Sequence, residues 1–122
     1  MEAKTIGRAI GAASLAFGIT DILAGKAFGR GIGAGETEGG TLFRAVGARE
    51  VVTGAVGLAF PTNSISVWTR FAADLTDLAA LAPVVAKAGP KRAMAVTAVA
   101  IVAGVALMDL IAARAIDRRT SA

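Results

Sequence analysis

Residues 41 to 60 read TLFRAVGAREVVTGAVGLAF, and this stretch decides the fold. It is long and apolar enough for a membrane-crossing helix, which needs about 20 residues. It nevertheless contains Arg44, Arg49 and Glu50 among glycine, alanine, valine and leucine. An unpaired charge at the middle of a bilayer costs from ~3 kcal/mol to more than ~10 kcal/mol, depending on the measure. We therefore expect these side chains to find partners of opposite charge on other segments.

The composition also favours a membrane protein. The 122 residues are 55% hydrophobic and 18% charged, with a mean hydropathy of +0.65, whereas soluble domains average about 25% charged residues. The chain has no cysteine, histidine or tyrosine, which removes disulfides, thiolate and imidazole metal ligands and the commonest general base. We therefore expect neither a cofactor nor a metal site, and no enzymatic activity.

The length predicts a single domain, 1–122, embedded in a lipid bilayer. The formal charge of +4 suits anionic lipid headgroups. The thirteen basic residues are spread along the chain rather than gathered in one run, so we expect no nucleic-acid partner.

Four apolar segments are each about long enough to cross a bilayer: 5–27, 41–60, 66–88 and 91–116. They predict an all-α fold, a transmembrane bundle of four helices in up-down-up-down order. Because charges interrupt three of the four segments, a water-soluble helical bundle is the alternative.

The connections follow turn chemistry. The glycine-rich stretch 28–40 predicts a flexible loop, after which Thr41 caps the second helix. Residues 61–64 predict a tight turn, and Gly-Pro at 89–90 separates the third helix from the fourth. Pro83 is expected to kink the third helix near its end.

Each segment carries a seam of small or charged residues with spacings of three and four, the heptad rhythm that brings helices close together in lipid. On the first two segments the seam comprises Gly7, Gly11, Ser14, Gly18, Asp21 and Gly25, then Gly47, Glu50, Gly54 and Gly57. On the last two it comprises Arg70, Asp74, Asp77 and Leu81, then Ala98, Val102, Val105, Asp109 and Ala112. Every seam includes a carboxylate, which predicts that the charged groups face the inside of the bundle.

Depth along the bundle, counted at ~1.5 Å per residue, sorts the inward charges into three tiers. The predicted pairs are Asp21 with Arg44, Arg49 with Asp77 or Asp74, and Arg70 with Asp109 or Asp74. Together with Glu50 they form the predicted intramembrane charged network. Its five carboxylates face only three arginines, so we expect at least one carboxylate to carry a proton instead, and Glu50 is the first candidate.

Three strings carry a family resemblance: RAVGAREVVTG at 44–54, WTRFAADLTDLAAL at 68–81 and ALMDLIAARAI at 106–116. They resemble an uncharacterised family of small bacterial four-helix membrane proteins, which also occurs N-terminal to cyclase/dehydrase-type lipid-binding domains. A more remote likeness in size and layout is to DoxX-like proteins. The resemblance implies four spans in the bacterial inner (cytoplasmic) membrane, and it implies no activity.

Two classes of function remain open at this point. The first is a structural or accessory membrane component whose charged core stabilises it, with a larger membrane complex or further copies of the chain as partners. The alternative is a small proton- or cation-coupled transporter or channel that acts as an oligomer, because acidic residues at membrane depth often mark an ion path. A membrane enzyme ranks third, and we predict no catalytic residues.

Overall fold

The structure is a computed structural model that describes residues 2–35 and 37–120. These residues form four α-helices, namely α1 (Ala3–Gly31), α2 (Thr37–Ala59), α3 (Ile65–Lys87) and α4 (Arg92–Thr120). A single 3₁₀ turn, Gly89–Lys91, precedes α4. No strand occurs in the described ranges, so the predicted all-α fold with four helices is confirmed.

The predicted loop over 28–40 is wrong for most of its length. Helix α1 continues to Gly31, and α2 already begins at Thr37. The glycines serve contact between the helices here, because a Cβ built on Gly29 would lie 2.6 Å from Cα of Gly39. Their low helix propensity is overridden by this close packing of two backbones.

The turn between α1 and α2 is therefore short. Gly33 and Gly35 adopt φ angles of +84° and +87°, a region that side chains with a Cβ rarely enter. Glu36 lies outside the described residues. Thr41 does not cap α2 as predicted, because it sits inside the helix and donates its hydroxyl to the carbonyl of Thr37.

Helices α1 and α2 form the first hairpin and pack more closely than any other pair. Their glycines face one another in antiparallel register. A Cβ on Gly18 would lie 2.6 Å from the carbonyl oxygen of Gly47, and one on Gly47 would lie 2.6 Å from that of Gly18. Gly11 and Gly54 make the same contact about two helical turns away. A Cβ on Gly11 would lie 3.0 Å from the carbonyl oxygen of Gly54, and one on Gly54 would lie 2.8 Å from that of Gly11. The predicted seam therefore brings the two backbones into direct contact.

Helices α3 and α4 form the second hairpin, which packs beside the first. Helix α3 continues through Pro83 to Lys87, and the next turn contains Gly89 with a φ of +54°. Two apolar clusters close the bundle. One comprises Ala3, Val67, Ala112, Ala113 and Ile116, and the other Ile32, Leu81, Ala88 and Ala95. The charged residues described below lie between these clusters.

The outside of the bundle is apolar. Leu23 is 81% exposed and Ile65 68%, and many other large hydrophobic side chains point outward. Two helical stretches, Ala3–Gly31 and Gly89–Thr120, are long and apolar enough to cross a membrane. This agrees in part with the four predicted spans.

Candidate functional site: a buried charge network beside a cavity

Arg70 of α3 is the centre of the network. Its side chain is 4% exposed, and Nη2 lies 3.1 Å from Oε2 of Glu50 on α2. Nη1 lies 3.3 Å from Oδ1 of Asp109 on α4 and donates to the carbonyl oxygen of Ile10 on α1 at 3.4 Å. One guanidinium thus contacts all three other helices.

Glu50 is fixed from the opposite side by Ser14 of α1. The serine hydroxyl lies 2.8 Å from Oε2 and 2.6 Å from the backbone carbonyl oxygen of Glu50, and Ser14 is fully buried. Because Glu50 bonds to both Ser14 and Arg70, it joins the first hairpin to the second.

The bond between Arg70 and Glu50 was missed by the sequence analysis. The depth count placed the two residues on different tiers, because it compared backbone positions only. An arginine stem is long and flexible and can reach past a helical turn of ~5.4 Å. A count that included side-chain length would have brought Glu50 within reach of Arg70.

Arg49 and Asp77 form the second contact between hairpins. Nη2 of Arg49 donates to Oδ2 of Asp77 at 2.6 Å, which is one of the predicted pairs. The side chains are 32% and 14% exposed, so this pair lies nearer the surface than Arg70 and its partners.

The predicted pairing of Asp21 with Arg44 is wrong. The structure joins them by no ion pair within its described ranges, since Cβ of Asp21 packs beside Gly47 while the stem of Arg44 packs beside Gly25. The glycine contacts, Gly18 with Gly47 and Gly25 with Gly40, place Asp21 level with Arg44 in the antiparallel hairpin. The two residues fail to pair because their side chains leave the hairpin on different sides. Arg44 is exposed, and Asp21 is half-buried.

Asp74 and Asp109 are the most deeply buried carboxyls of the network. They lie next to each other with Arg70 nearby, and they are 3% and 1% exposed. Oδ2 of each is buried without a hydrogen-bond partner, as is Nε of Arg49 and of Arg70. Of its two predicted partners, Arg70 takes Asp109 rather than Asp74. Among the described residues, Asp74 and Asp21, and not Glu50, are the network carboxyls without an arginine at ion-pair distance.

The buried charges do not balance. Glu50, Asp74 and Asp109 are three buried carboxyls, and Arg70 is the one buried guanidinium in the part of the chain that the structure describes. A buried charge without a partner is strongly unfavourable. The site therefore favours a proton or another positive charge near Asp74.

A cavity of about 410 Å³ lies beside the network and is bounded by all four helices. Its polar side contains Asp21, Glu50, Arg70, Asp74 and Asp77. Its apolar walls include Phe17, Leu42, Phe43, Val46, Leu81, Met94, Ile101, Val102 and Val105. Within residues 2–35 and 37–120, no three acidic, histidine or cysteine side chains are grouped to hold a metal ion.

A second polar cluster lies at the exposed end of the bundle and was not predicted. Asp117 accepts a hydrogen bond from Ser64 and another from Nε1 of Trp68 at 2.8 Å. These bonds, with that of Ser64 the stronger influence, lower the pKa of the Asp117 carboxyl. The residue lies just beyond the predicted span 91–116.

The chain was also compared with known proteins. No family model matches it, and neither does any curated protein or solved structure. The resemblance to the four-helix membrane family stays a prediction, and function is inferred from the charge network and the cavity.

Proposed function

We propose that this protein is a multi-pass membrane protein with four spans in up-down-up-down order, and that it acts as a structural or accessory membrane component without enzymatic activity. The observation that carries the proposal is the distribution of polarity. Arg70, Glu50, Asp74 and Asp109 are at most 6% exposed, while Leu23 is 81% exposed. Water-soluble proteins rarely expose large contiguous apolar patches.

The two most apolar helices support the same proposal. Only 22% of the most apolar window of Ala3–Gly31 and 17% of that of Gly89–Thr120 is buried inside the bundle. A central helix of a water-soluble bundle is apolar because it is enclosed by other helices. Here the apolar surface faces outward, as a helix in contact with lipid requires.

The role proposed for the charged network is to hold the hairpins in register. Lipid tails are as apolar as leucine, so apolar burial does little to join helices inside a bilayer, and packing and polar contacts do so instead. Arg70 contacts Glu50 on the first hairpin and Asp109 on the second. Pairing with the wrong helix would leave these charges unpartnered in lipid.

The proposed location is the bacterial inner membrane, with the lipid bilayer as the first partner. A larger membrane complex or further copies of the chain are the proposed protein partners, and no nucleic acid is expected. The resemblance to bacterial four-helix membrane proteins supports this location.

Membrane fractionation tests the proposal. The full chain is produced in a bacterium, and its membranes are washed with alkaline carbonate and then with a neutral detergent. We expect the chain to stay with the membrane pellet in carbonate and to dissolve only in detergent. Release into carbonate, or a soluble monomer without detergent, would refute four spans. Crosslinking in native membranes before extraction then identifies the protein partners.

A proton- or cation-coupled transporter acting as an oligomer is the second candidate. The cavity favours it, because Asp74 and Asp77 line a half-open space between the four helices and carboxylates at membrane depth often belong to ion paths. Flux measurements in liposomes test this candidate with Asp77→Asn and Asp74→Asn. Loss of flux in folded variants supports transport, and absence of flux in the unaltered protein excludes it.

A further inference from the structure

The cavity joins two features that seldom occur together. Its walls are largely aliphatic and aromatic, while one side ends on carboxyl groups from three helices, Asp21, Glu50 and Asp77 with Asp74. Its volume of about 410 Å³ lies within the range of sites that enclose small organic molecules.

The lining contains more carboxyl groups than basic groups. Asp21, Glu50, Asp74 and Asp77 supply four carboxyls, against the single guanidinium of Arg70. Arg49 neutralises Asp77 from outside the cavity, and Arg70 is shared between Glu50 and Asp109. Asp21 and Asp74 are left without an arginine of their own.

Asp74 gives an independent indication that the site takes a ligand. It lines the cavity, is 3% exposed, and keeps Oδ2 buried without a hydrogen-bond partner. Buried polar atoms in folded proteins nearly always have a partner. The carboxyl of Asp109 lies within hydrogen-bond reach of it, so this pair of acids takes up either a shared proton or a nearby positive charge.

We propose that this cavity is a binding site for a lipophilic organic cation, whose charge lies against Asp74 and whose apolar groups contact Phe17, Phe43 and Ile101. Aromatic rings attract cations through their faces, so the walls complement both parts of such a ligand. The hydrocarbon walls disfavour an inorganic cation, and the carboxyl groups disfavour a neutral lipid chain.

An inorganic cation fits poorly. Calcium takes six to eight oxygen ligands, and magnesium demands a near-complete octahedron, whereas the cavity surface away from the carboxyls consists of hydrocarbon. A neutral lipid chain would fill the apolar part but bring no positive charge to the carboxyls. A cation carrying phenyl or alkyl groups brings its charge near the carboxyls and its hydrocarbon against the walls.

This inference goes beyond the proposed structural role. If the protein is a transporter, the second candidate function above, the inference also names the class of its substrate. Binding is measured at equilibrium, so the result does not depend on transport or on the number of spans. A failed titration would leave the fractionation result standing, and a chain released by carbonate can still be titrated.

The test uses two ions of the same shape and opposite charge. The full chain in an uncharged detergent is titrated by calorimetry with tetraphenylphosphonium and, separately, with tetraphenylborate, each against protein-free micelles. We expect saturable binding of the phosphonium ion at one ion per chain and none of the borate ion. Equal binding of both ions would overturn the proposal, since it would show that only the apolar walls act.

Variants locate the site. In Asp74→Asn the affinity for tetraphenylphosphonium should fall about tenfold or more, because a close charge interaction is lost in a region of low dielectric. Glu38→Gln removes a carboxyl from the exposed first turn of α2, outside the cavity, and should leave the affinity unchanged. Unchanged affinity in a folded Asp74→Asn variant would refute the site.

A third variant keeps the test decisive if Asp74→Asn fails to fold. Thr97 lines the cavity, is exposed, and uses its hydroxyl on the carbonyl of Ala93 in its own helix. Thr97→Phe therefore adds bulk to the cavity without opening the core. We expect it to weaken phosphonium binding, and full binding in this variant would place the cation elsewhere.

Discussion

Nη2 of Arg70 lies 3.1 Å from Oε2 of Glu50, and this contact joins the second hairpin to the first at the centre of the bundle. The same guanidinium reaches Asp109 and the carbonyl oxygen of Ile10. The guanidinium of Arg70 therefore contacts all three other helices. Its effect on stability can be separated from that of its carboxyl partners by substituting them independently.

Arg70→Met should destabilise the protein by ~3–5 kcal/mol, because Glu50 and Asp109 would stay buried without their positive partner. Thermal or denaturant unfolding in detergent, followed by far-ultraviolet circular dichroism, measures this loss. The control is the triple variant Arg70→Met, Glu50→Gln, Asp109→Asn, in which the uncompensated charges are also removed. It should recover part of the lost stability. A triple variant no more stable than Arg70→Met would argue that the arginine acts by packing alone.

Asp77→Asn should cost less than Arg70→Met, about 1–3 kcal/mol, because it leaves Arg49 without its ionised partner. Arg49 is 32% exposed, whereas Arg70→Met leaves two deeply buried carboxyls without theirs. The same unfolding measurement compares it directly with Arg70→Met. Equal losses in the two variants would mean that the bundle depends on both contacts alike, contrary to the difference in burial.

Gly18→Ala should destabilise the first hairpin by ~1–3 kcal/mol, the range for overpacking a tight contact. The added methyl would lie 2.6 Å from the carbonyl oxygen of Gly47, so the two helices must move apart. Gly104→Ala is the matched control, because a Cβ there meets nothing within 4 Å. We expect the control to be neutral or slightly stabilising, and equal losses at both positions would contradict the glycine contact.

The cluster around Asp117 predicts a pH dependence. The hydrogen bonds from Ser64 and Trp68 lower the pKa of the carboxyl, so their stabilising contribution is present above the ordinary aspartate value of about 3.9 and is lost as the pH falls through the lowered value. Trp68, the one tryptophan in the sequence, reports this through its fluorescence. We expect a transition with a midpoint below about pH 3.9 that Asp117→Asn abolishes. A midpoint above that value would mean that the hydrogen bonds do not favour the ionised carboxyl.

Much of the architecture was predictable because helical periodicity is local. The glycines of α1 and α2 repeat at spacings that bring Gly18 against Gly47, and the charges of α3 and α4 share faces with their own seams. The failure over 28–40 has a clear cause. Glycine weakens an isolated helix, yet Gly29 and Gly39 are required where two backbones touch.

The partners within the network were only partly predictable. Arg49 meets Asp77 as expected, because the two lie at equal depth. Asp21 and Arg44 lie at equal depth as well but do not meet, because Asp21 faces the cavity while Arg44 is exposed on the outside of the hairpin. A count of depth does not give the direction of a side chain around its helix. Asp74 lacks an arginine because Arg70 contacts Glu50 and Asp109 instead. Residue spacing along the sequence does not indicate which of three nearby carboxyls one guanidinium will contact.

The position of Glu50 has a consequence for synthesis of the chain. Helices α1 and α2 leave the ribosome before α3, so a half-made protein contains Glu50 and Ser14 but not yet Arg70. Until the second hairpin arrives, Glu50 lacks Arg70 and the neighbouring Arg49 lacks Asp77, which in the proposed four-span arrangement disfavours a first hairpin that stays alone in lipid. The nascent chain is therefore expected to linger at the insertion machinery until all four segments can enter the bilayer together.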